Sequence, residues 1–300
     1  MMLADAVAEM KEGKFKDFSM NEDERYELYL AAWLHDCGKV ATPPHVVDKG
    51  TKLETIFDRI ELIKTRMELL KKDQEIAFLR RQLNGQSNIE FDDEYNKAIS
   101  ELDSSMKFLE ECNVGGEFMK PELQEKVRSI GAKKLNIFNS EQPFLSEEEI
   151  QNLNIPKGTL LPDEREIIND HIVITIEMLE QLPYPKNLKN IPEFAGGHHE
   201  KMDGTGYPKG LNESQMSTQA KIMAIADIYE ALTAADRPYK EGKKLSQAMR
   251  IMGFMKNDYH IDEELFEIFV TSGVYKKYAE KHIAETQIDE VDEKSVLGKE

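Results

Sequence analysis

Two cysteines in 300 residues, Cys37 and Cys112, cannot build a disulfide framework, and such sparing use of thiols suits a reducing compartment. No apolar run approaches the roughly 18 residues that a membrane span needs, and the opening MMLADAVAEMKEGKFKDF has no apolar signal core. The expectation is a cytoplasmic chain without membrane contact. Positive charge is also short: 39 Lys and Arg face 57 Asp and Glu, leaving a net charge of −18. That surface repels polymeric nucleic acid, so an anionic ligand must be captured locally, by metal ions or a few cations. Stretches of strand-like alternation and internal repeats are missing as well, and the fold class expected is all-α.

What is present is a series of helical patterns. NEDERYELYLAAWLHD opens with acids suited to a helix N-terminus and becomes apolar toward His35-Asp36, with Gly38 as a stop and Pro43-Pro44 closing any continuation. From Leu53 to about Gln82, Ile56, Ile60, Ile63, Met67 and Leu70 alternate four and three apart, a coiled-coil-like seam. Tyr95, Ile99, Leu102, Met106 and Leu109 repeat it after the turn-forming NGQSN, predicting an antiparallel helical hairpin. PELQEKVRSI and SEEEIQNL read as short helices. A longer helix starts at Pro162-Asp163, carries His171 in its middle and ends before Pro183; the run MSTQAKIMAIADIYEALTAAD is the most apolar helix and contains Asp227. Two more helices are expected over about 244–256 and 261–283.

The chemistry is concentrated in Phe194–Pro208, FAGGHHEKMDGTGYP, where His198, His199, Glu200 and Asp203 can ligate metal or move protons and Gly204 and Gly206 permit a tight turn. A lone histidine such as His171 is more often a packing residue than a ligand. Asp227 is harder to set aside, because a carboxylate inside an apolar helix is costly unless paired or coordinated. Collected together, His35, Asp36, His171, His198, His199 and Asp227 are four imidazoles and two carboxylates. The set suits Fe, Mn, Zn, Co or Ni and is too large for one tetrahedral site. A two-metal centre uses them all and is suited to displacement at phosphorus, with Asp36 able to bridge the ions beside His35. Neighbouring residues on a helix point about 100° apart, so the His-Asp pair converges only at a helix end.

LHDCGK at 34–39, His171, HHEKMDGTGYP at 198–208 and AIADIYEALTAADRPYK at 224–240 resemble the HD-GYP phosphodiesterases, a subgroup of the HD superfamily of metal-dependent phosphohydrolases. The resemblance covers roughly 22–48 and 160–275. It implies an HD-superfamily helical bundle with two or three divalent ions, iron or manganese in the first place, hydrolysing cyclic di-GMP to pGpG and onward to GMP in some members. Carried over by position, His35, Asp36, His171, His198, His199 and Asp227 become metal ligands, with Asp36 bridging. Lys39 then touches the scissile phosphate or its leaving oxygen, Arg237 and Lys240 hold substrate phosphates, Tyr207 and Pro208 shape the substrate-side turn, and Glu200 orients a ligand histidine. The domain reading is 1–48 with 160–284 as the catalytic domain, 49–159 as a helical insertion typical of a long-insert branch, and 285–300 as an acidic flexible tail. The insertion is expected to pack on the catalytic body or to pair two copies as a homodimer. The family also takes a histidine from a helix upstream of the HD dyad. Residues 1–10 contain none, and Glu9 is a weak substitute, which suggests a piece of a longer protein with an N-terminal sensor. The same chemistry on cyclic GMP-AMP or another nucleotide, and a non-catalytic cyclic-dinucleotide sensor or scaffold, are the alternatives.

Overall fold

A computed structural model of the chain describes residues 1–85, 89–116, 118–137, 140–234 and 242–298, with side chains from residue 92 onward in the second stretch. Its backbone is mainly helical and divides into two compact units, Met1–Thr42 with Glu166–Glu300, and Pro43–Arg165. Among the described residues the only sheet is a two-stranded antiparallel hairpin, Lys134–Ile137 with Ser140–Pro143, pairing Leu135 with Gln142. That hairpin escapes the sequence reading because only Leu135 of its eight residues is buried, so it shows no alternating pattern to find.

In the first unit, local chemistry sets the helix starts. Asn21 and Glu24 form a reciprocal capping box before Glu22–Leu34. Ser217 caps Thr218–Thr233 and Asp262 caps Glu263–Thr271. Leu28, Ala31, Phe194, Ile222, Ile225, Phe266 and Tyr275 join one core with the helix Met2–Ala8. Each large apolar side chain buried there contributes about 1.5–3 kcal/mol relative to exposure. The Tyr229 hydroxyl, also buried, donates to the Tyr275 carbonyl at 2.9 Å.

Three expectations for this unit change. The helix expected to carry His171 in its middle is two, Pro162–Asn169 and His171–Glu180. The His171 ring donates to the Ile168 carbonyl, and a side chain bonding into the ladder interrupts it there. The long helix over 261–283 is likewise two, Glu263–Thr271 and Val274–His282, with Gly273 between them at φ 67°. The described part of 285–300, expected as a flexible tail, is docked: Val296 lies in the core, and Glu293 accepts from the Tyr275 hydroxyl and the Lys276 ammonium, both at 2.7 Å.

The second unit is organised by the helices Ile60–Leu83 and Ile89–Asn113. Ile63, Met67 and Leu70 bury against Leu102 and Leu109. Lys64 pairs with Glu110 at 3.0 Å, Lys71 with Asp103 at 2.6 Å, and the Phe78 ring stacks on Tyr95. One number rises as its partner falls, the register of an antiparallel hairpin. Ile56 does not belong to the seam. It is 96% exposed, because residues 50–59 form a turn in which Glu54 accepts from the Gly50 and Thr51 N–H groups and Arg59 donates to the Leu53 carbonyl, so the helix begins only at Ile60. Two buried lysines hold the rest: Lys49 binds Glu164 and Asn152, and Lys52 donates to the Leu153 and Ile155 carbonyls that end the helix Glu147–Leu153.

Candidate metal centre

The helix Glu22–Leu34 stops just before His35, and Asp36 takes φ −110°, ψ 11° before a 3₁₀ turn, Cys37–Ala41. Losing helical geometry at this point lets the two neighbours face one space. The turn lies directly on the helix His171–Glu180. The Gly38 N–H donates to the Thr175 hydroxyl at 2.9 Å, and a Cβ on Gly38 would overlap the His171 carbonyl. Thr175 is one turn from His171 on the same face. Neither Thr175 nor this role of Gly38 is anticipated from the sequence, which offers Gly38 only as a helix stop.

His198 and His199 follow the helix Ile191–Gly196. The loop beyond them is stapled by Glu200, whose two buried oxygens accept from the Lys209 N–H at 2.7 Å and the Leu211 N–H at 2.8 Å. Glu200 therefore organises the turn: its hydrogen bonds go to the loop backbone rather than to the ligand histidine that the sequence reading expects it to orient. Asp203 bonds the Thr205 N–H and hydroxyl within the turn. Tyr207 stacks on the His199 ring at 4.8 Å and 21°, and its N–H donates to the His199 carbonyl at 3.2 Å. Asp227, on Thr218–Thr233, brings Oδ1 to 3.5 Å from His35 Nε2.

All six proposed ligands meet. Donor atoms of His171, His198 and His199 lie within 4.8 Å of one another, and so do those of His35, Asp36 and His198. His198 is common to both groups. Asp36 reaches both as well, Oδ1 standing 3.2 Å from His171 Nε2 and Oδ2 3.4 Å from His35 Nε2. Lys39 Nζ donates to Asp36 Oδ2 at 2.5 Å. Glu9 is exposed and Asp5 pairs with Arg25, so the first helix adds no ligand to the cluster. Arg237 and Lys240 lie outside the described residues.

The donors fit a cation. His35, His171 and His198 each turn Nδ1 to a backbone carbonyl three residues back, Ala32 at 2.7 Å, Ile168, and Ala195 at 2.6 Å. A carbonyl only accepts, so Nδ1 carries the proton and Nε2, facing the cluster, offers its lone pair in the neutral ring, the usual device that orients a ligand imidazole. Asp36 Oδ1, His171 Nε2 and His198 Nε2 are buried without a satisfied hydrogen bond, a costly arrangement that a bound cation relieves. Burial lowers His198, and burial with the neighbouring His198 lowers His199 to about 3. For His35 burial acts downward, but Asp227 and Asp36 outweigh it and push the ring up to about 10. Burial would raise Asp36, yet His171, His35 and Lys39 hold it well below the usual carboxylate range. The cluster is not sealed from solvent: the Asp36 and Lys39 side chains are 30% and 39% exposed.

Residues 147–265 match the HD domain family, a range that includes His171, His198, His199 and Asp227. A 94-residue stretch is 38% identical to 3′3′-cGAMP-specific phosphodiesterase 1 of Vibrio cholerae, covering 31% of this chain and 21% of that protein. A stretch of 79 residues is 44% identical to a cyclic di-GMP phosphodiesterase of Pseudomonas aeruginosa, covering 26% and 18%. A cyclic di-GMP phosphodiesterase of Thermotoga maritima is 40% identical over 93 residues, 31% of this chain and 25% of its own length. The matches thus span a quarter or less of these relatives.

Proposed function

We propose that the chain, whose residues 147–265 match the HD domain family, is of the HD-GYP type, a metal-dependent phosphodiesterase opening a cyclic dinucleotide. The observation that carries the reading is the pair of donor groups sharing His198, with one Asp36 oxygen turned to each. His35, Asp36, His171, His198, His199 and Asp227 would hold two or three divalent ions, iron or manganese, with zinc, nickel and cobalt also compatible with the donors. Ions at such a site supply Lewis acidity to the phosphate and lower the pKa of water.

The chain's own residues do the rest. Asp36, with one oxygen turned to each group, would serve as a ligand to both. Lys39, hydrogen-bonded to Asp36 and open to solvent, meets a phosphate oxygen or the departing 3′-oxygen as a positioned donor. Tyr207, fixed against His199, walls the substrate side, and Arg237 and Lys240 hold the phosphates. Water adds across one phosphodiester, leaving a 5′-phosphate and a 3′-hydroxyl, so cyclic di-GMP gives pGpG, and a second hydrolysis would give GMP; 3′,3′-cyclic GMP-AMP is the alternative substrate, the one named for the relative from Vibrio cholerae. Unpaired Cys37 and Cys112 suit a cytoplasmic location, and among the described residues no helix is long and apolar enough to cross a membrane.

Turnover of cyclic di-GMP, 3′,3′-cyclic GMP-AMP and pGpG by protein loaded with manganese or iron, followed by chromatography, tests the reading. Hydrolysis of neither cyclic dinucleotide would overturn it. His198→Ala and Asp36→Ala are each expected to remove bound metal and turnover together, checked by elemental analysis beside the assay.

Two copies are proposed to pair through the helix Ile60–Leu83. Leu62, Leu69, Ile76 and Leu83 repeat every seven residues on the face opposite the buried seam and are 45–87% exposed. One flank carries Glu61, Glu68 and Glu75, the other Asp73 and Arg80, while Arg66 is turned inward to Glu149 and the Phe144 carbonyl.

A further inference from the structure

Glu27 is 3% exposed in the middle of Glu22–Leu34, yet it faces no apolar partner with its carboxylate. Oε1 accepts from the Asn190 backbone N–H at 2.6 Å and Oε2 from the Asn190 side-chain amide at 3.1 Å. Asn190 is the residue before the helix Ile191–Gly196, whose N-terminus its own side chain does not cap. A carboxylate here satisfies an orphan donor and meets the positive end of the helix. For packing alone it is a poor choice, since an apolar side chain of similar volume would avoid the desolvation.

Position explains it. Glu27 precedes His35 by eight positions, and Asn190 precedes His198 by eight positions. The two segments run in the same sense from this tie to the place where the His35 and His198 rings meet edge to face, 4.9 Å between centroids. In helical chain eight positions cover about 12 Å. A slip of one residue at the tie would move one ligand past the other by about 1.5 Å, well beyond the roughly 0.5 Å tolerance of a preorganised site. His198 is the ligand common to both donor groups, so its register against His35 sets both.

We propose that Glu27 is a positioning residue of the metal centre, fixing the register of the His35 segment against the His198 segment through its two hydrogen bonds to Asn190. It rests on the reading of the histidine-aspartate cluster as a metal site. Three variants, Glu27→Ala, Glu27→Gln and Glu27→Asp, are compared with the parent chain by titrating metal-free protein with Co²⁺ and recording the visible absorption of the bound ion, with circular dichroism for helix content. Alanine removes both acceptors and is expected to weaken Co²⁺ binding by about 10–100-fold and to change the spectrum. Glutamine keeps an acceptor for the Asn190 N–H and an amide that Asn190 can meet, and stays within about threefold of the parent. Aspartate keeps the charge but is one methylene too short, so a folded protein with weakened binding and an altered spectrum is expected; this variant decides the matter if alanine fails to fold. Parent affinity and an unchanged spectrum in a folded alanine variant, or in the aspartate variant, would overturn the proposal. A parent chain that binds no Co²⁺ would overturn the metal reading itself, and the proposal with it.

Discussion

Gly38 shows how closely the site depends on single atoms. Its N–H holds Thr175, and a methyl group there would press on the His171 carbonyl and the Thr175 hydroxyl. Gly38→Ala must push the HD turn off the helix that carries His171, at about 1–3 kcal/mol of overpacking. A lower melting temperature with weaker metal binding is expected; an unchanged melt would show that the turn has room to move. Protonation gives a second test. In the metal-free protein His35 is raised to about 10, because Asp227 and Asp36 outweigh its burial. Its contribution to stability is complete below the unfolded value of about 6.5 and is lost as pH rises toward 10. His199, lowered to about 3 by burial and its histidine neighbours, works in reverse, contributing above about 6.5 and losing that as pH falls. Asp36 and Asp227, both held low, add to the loss on the acid side. The melting temperature of metal-free protein should therefore peak near neutral pH, and His35→Gln should flatten its alkaline side. A melting temperature that keeps rising above pH 9 would contradict this.

At the scale of elements, legibility follows periodicity. The seam from Ile60 to Leu70 could be read because four apolar residues recur at helical spacing and all four are buried. Ile56 fits the same spacing and fails, since Glu54 bends the chain before the helix starts. Spacing says which residues would share a face, not where the helix begins. The histidine-aspartate cluster was legible because four imidazoles and two carboxylates stand out from otherwise helical packing patterns, and the structure brings these side chains together. Glu27 was not, for it stands in the acid-rich run EDERYEL and looks like a solvated helix acid. Its signal is that it shares a face with Leu28 and Ala31, which are buried with it. The outward heptad of the same hairpin was also overlooked, because a helix with apolar residues on two faces gives no single stripe. Replacing Leu69 and Ile76 together by lysine should leave the melting temperature nearly unchanged, as both are about half exposed, and convert a dimer to a monomer in sedimentation equilibrium. A parent chain that sediments as a monomer at tens of micromolar would end the pairing proposal.

For the molecule as a whole, a net charge of −18 has to be reconciled with the proposed substrate, which carries phosphates. The two act over different distances. Repulsion from the dispersed acids is long-ranged and passes mostly through solvent, where the screening length falls from about 30 Å at 0.01 M salt to about 10 Å at 0.1 M. Attraction comes from the cluster itself, Lys39 and the ions proposed there, acting at contact and so less sensitive to salt. Added salt should therefore weaken the repulsion more than the capture. The expected result is a kcat/KM for the cyclic dinucleotide that rises by up to about threefold between roughly 0.01 and 0.1 M potassium chloride, mostly through KM. Charge-steered nucleic-acid enzymes behave oppositely, losing affinity steeply over the same range. A steep fall here would mean that cations outside the described cluster dominate substrate capture, with Arg237 and Lys240 the first to replace. Charge-neutralising variants at both positions should then abolish the salt dependence.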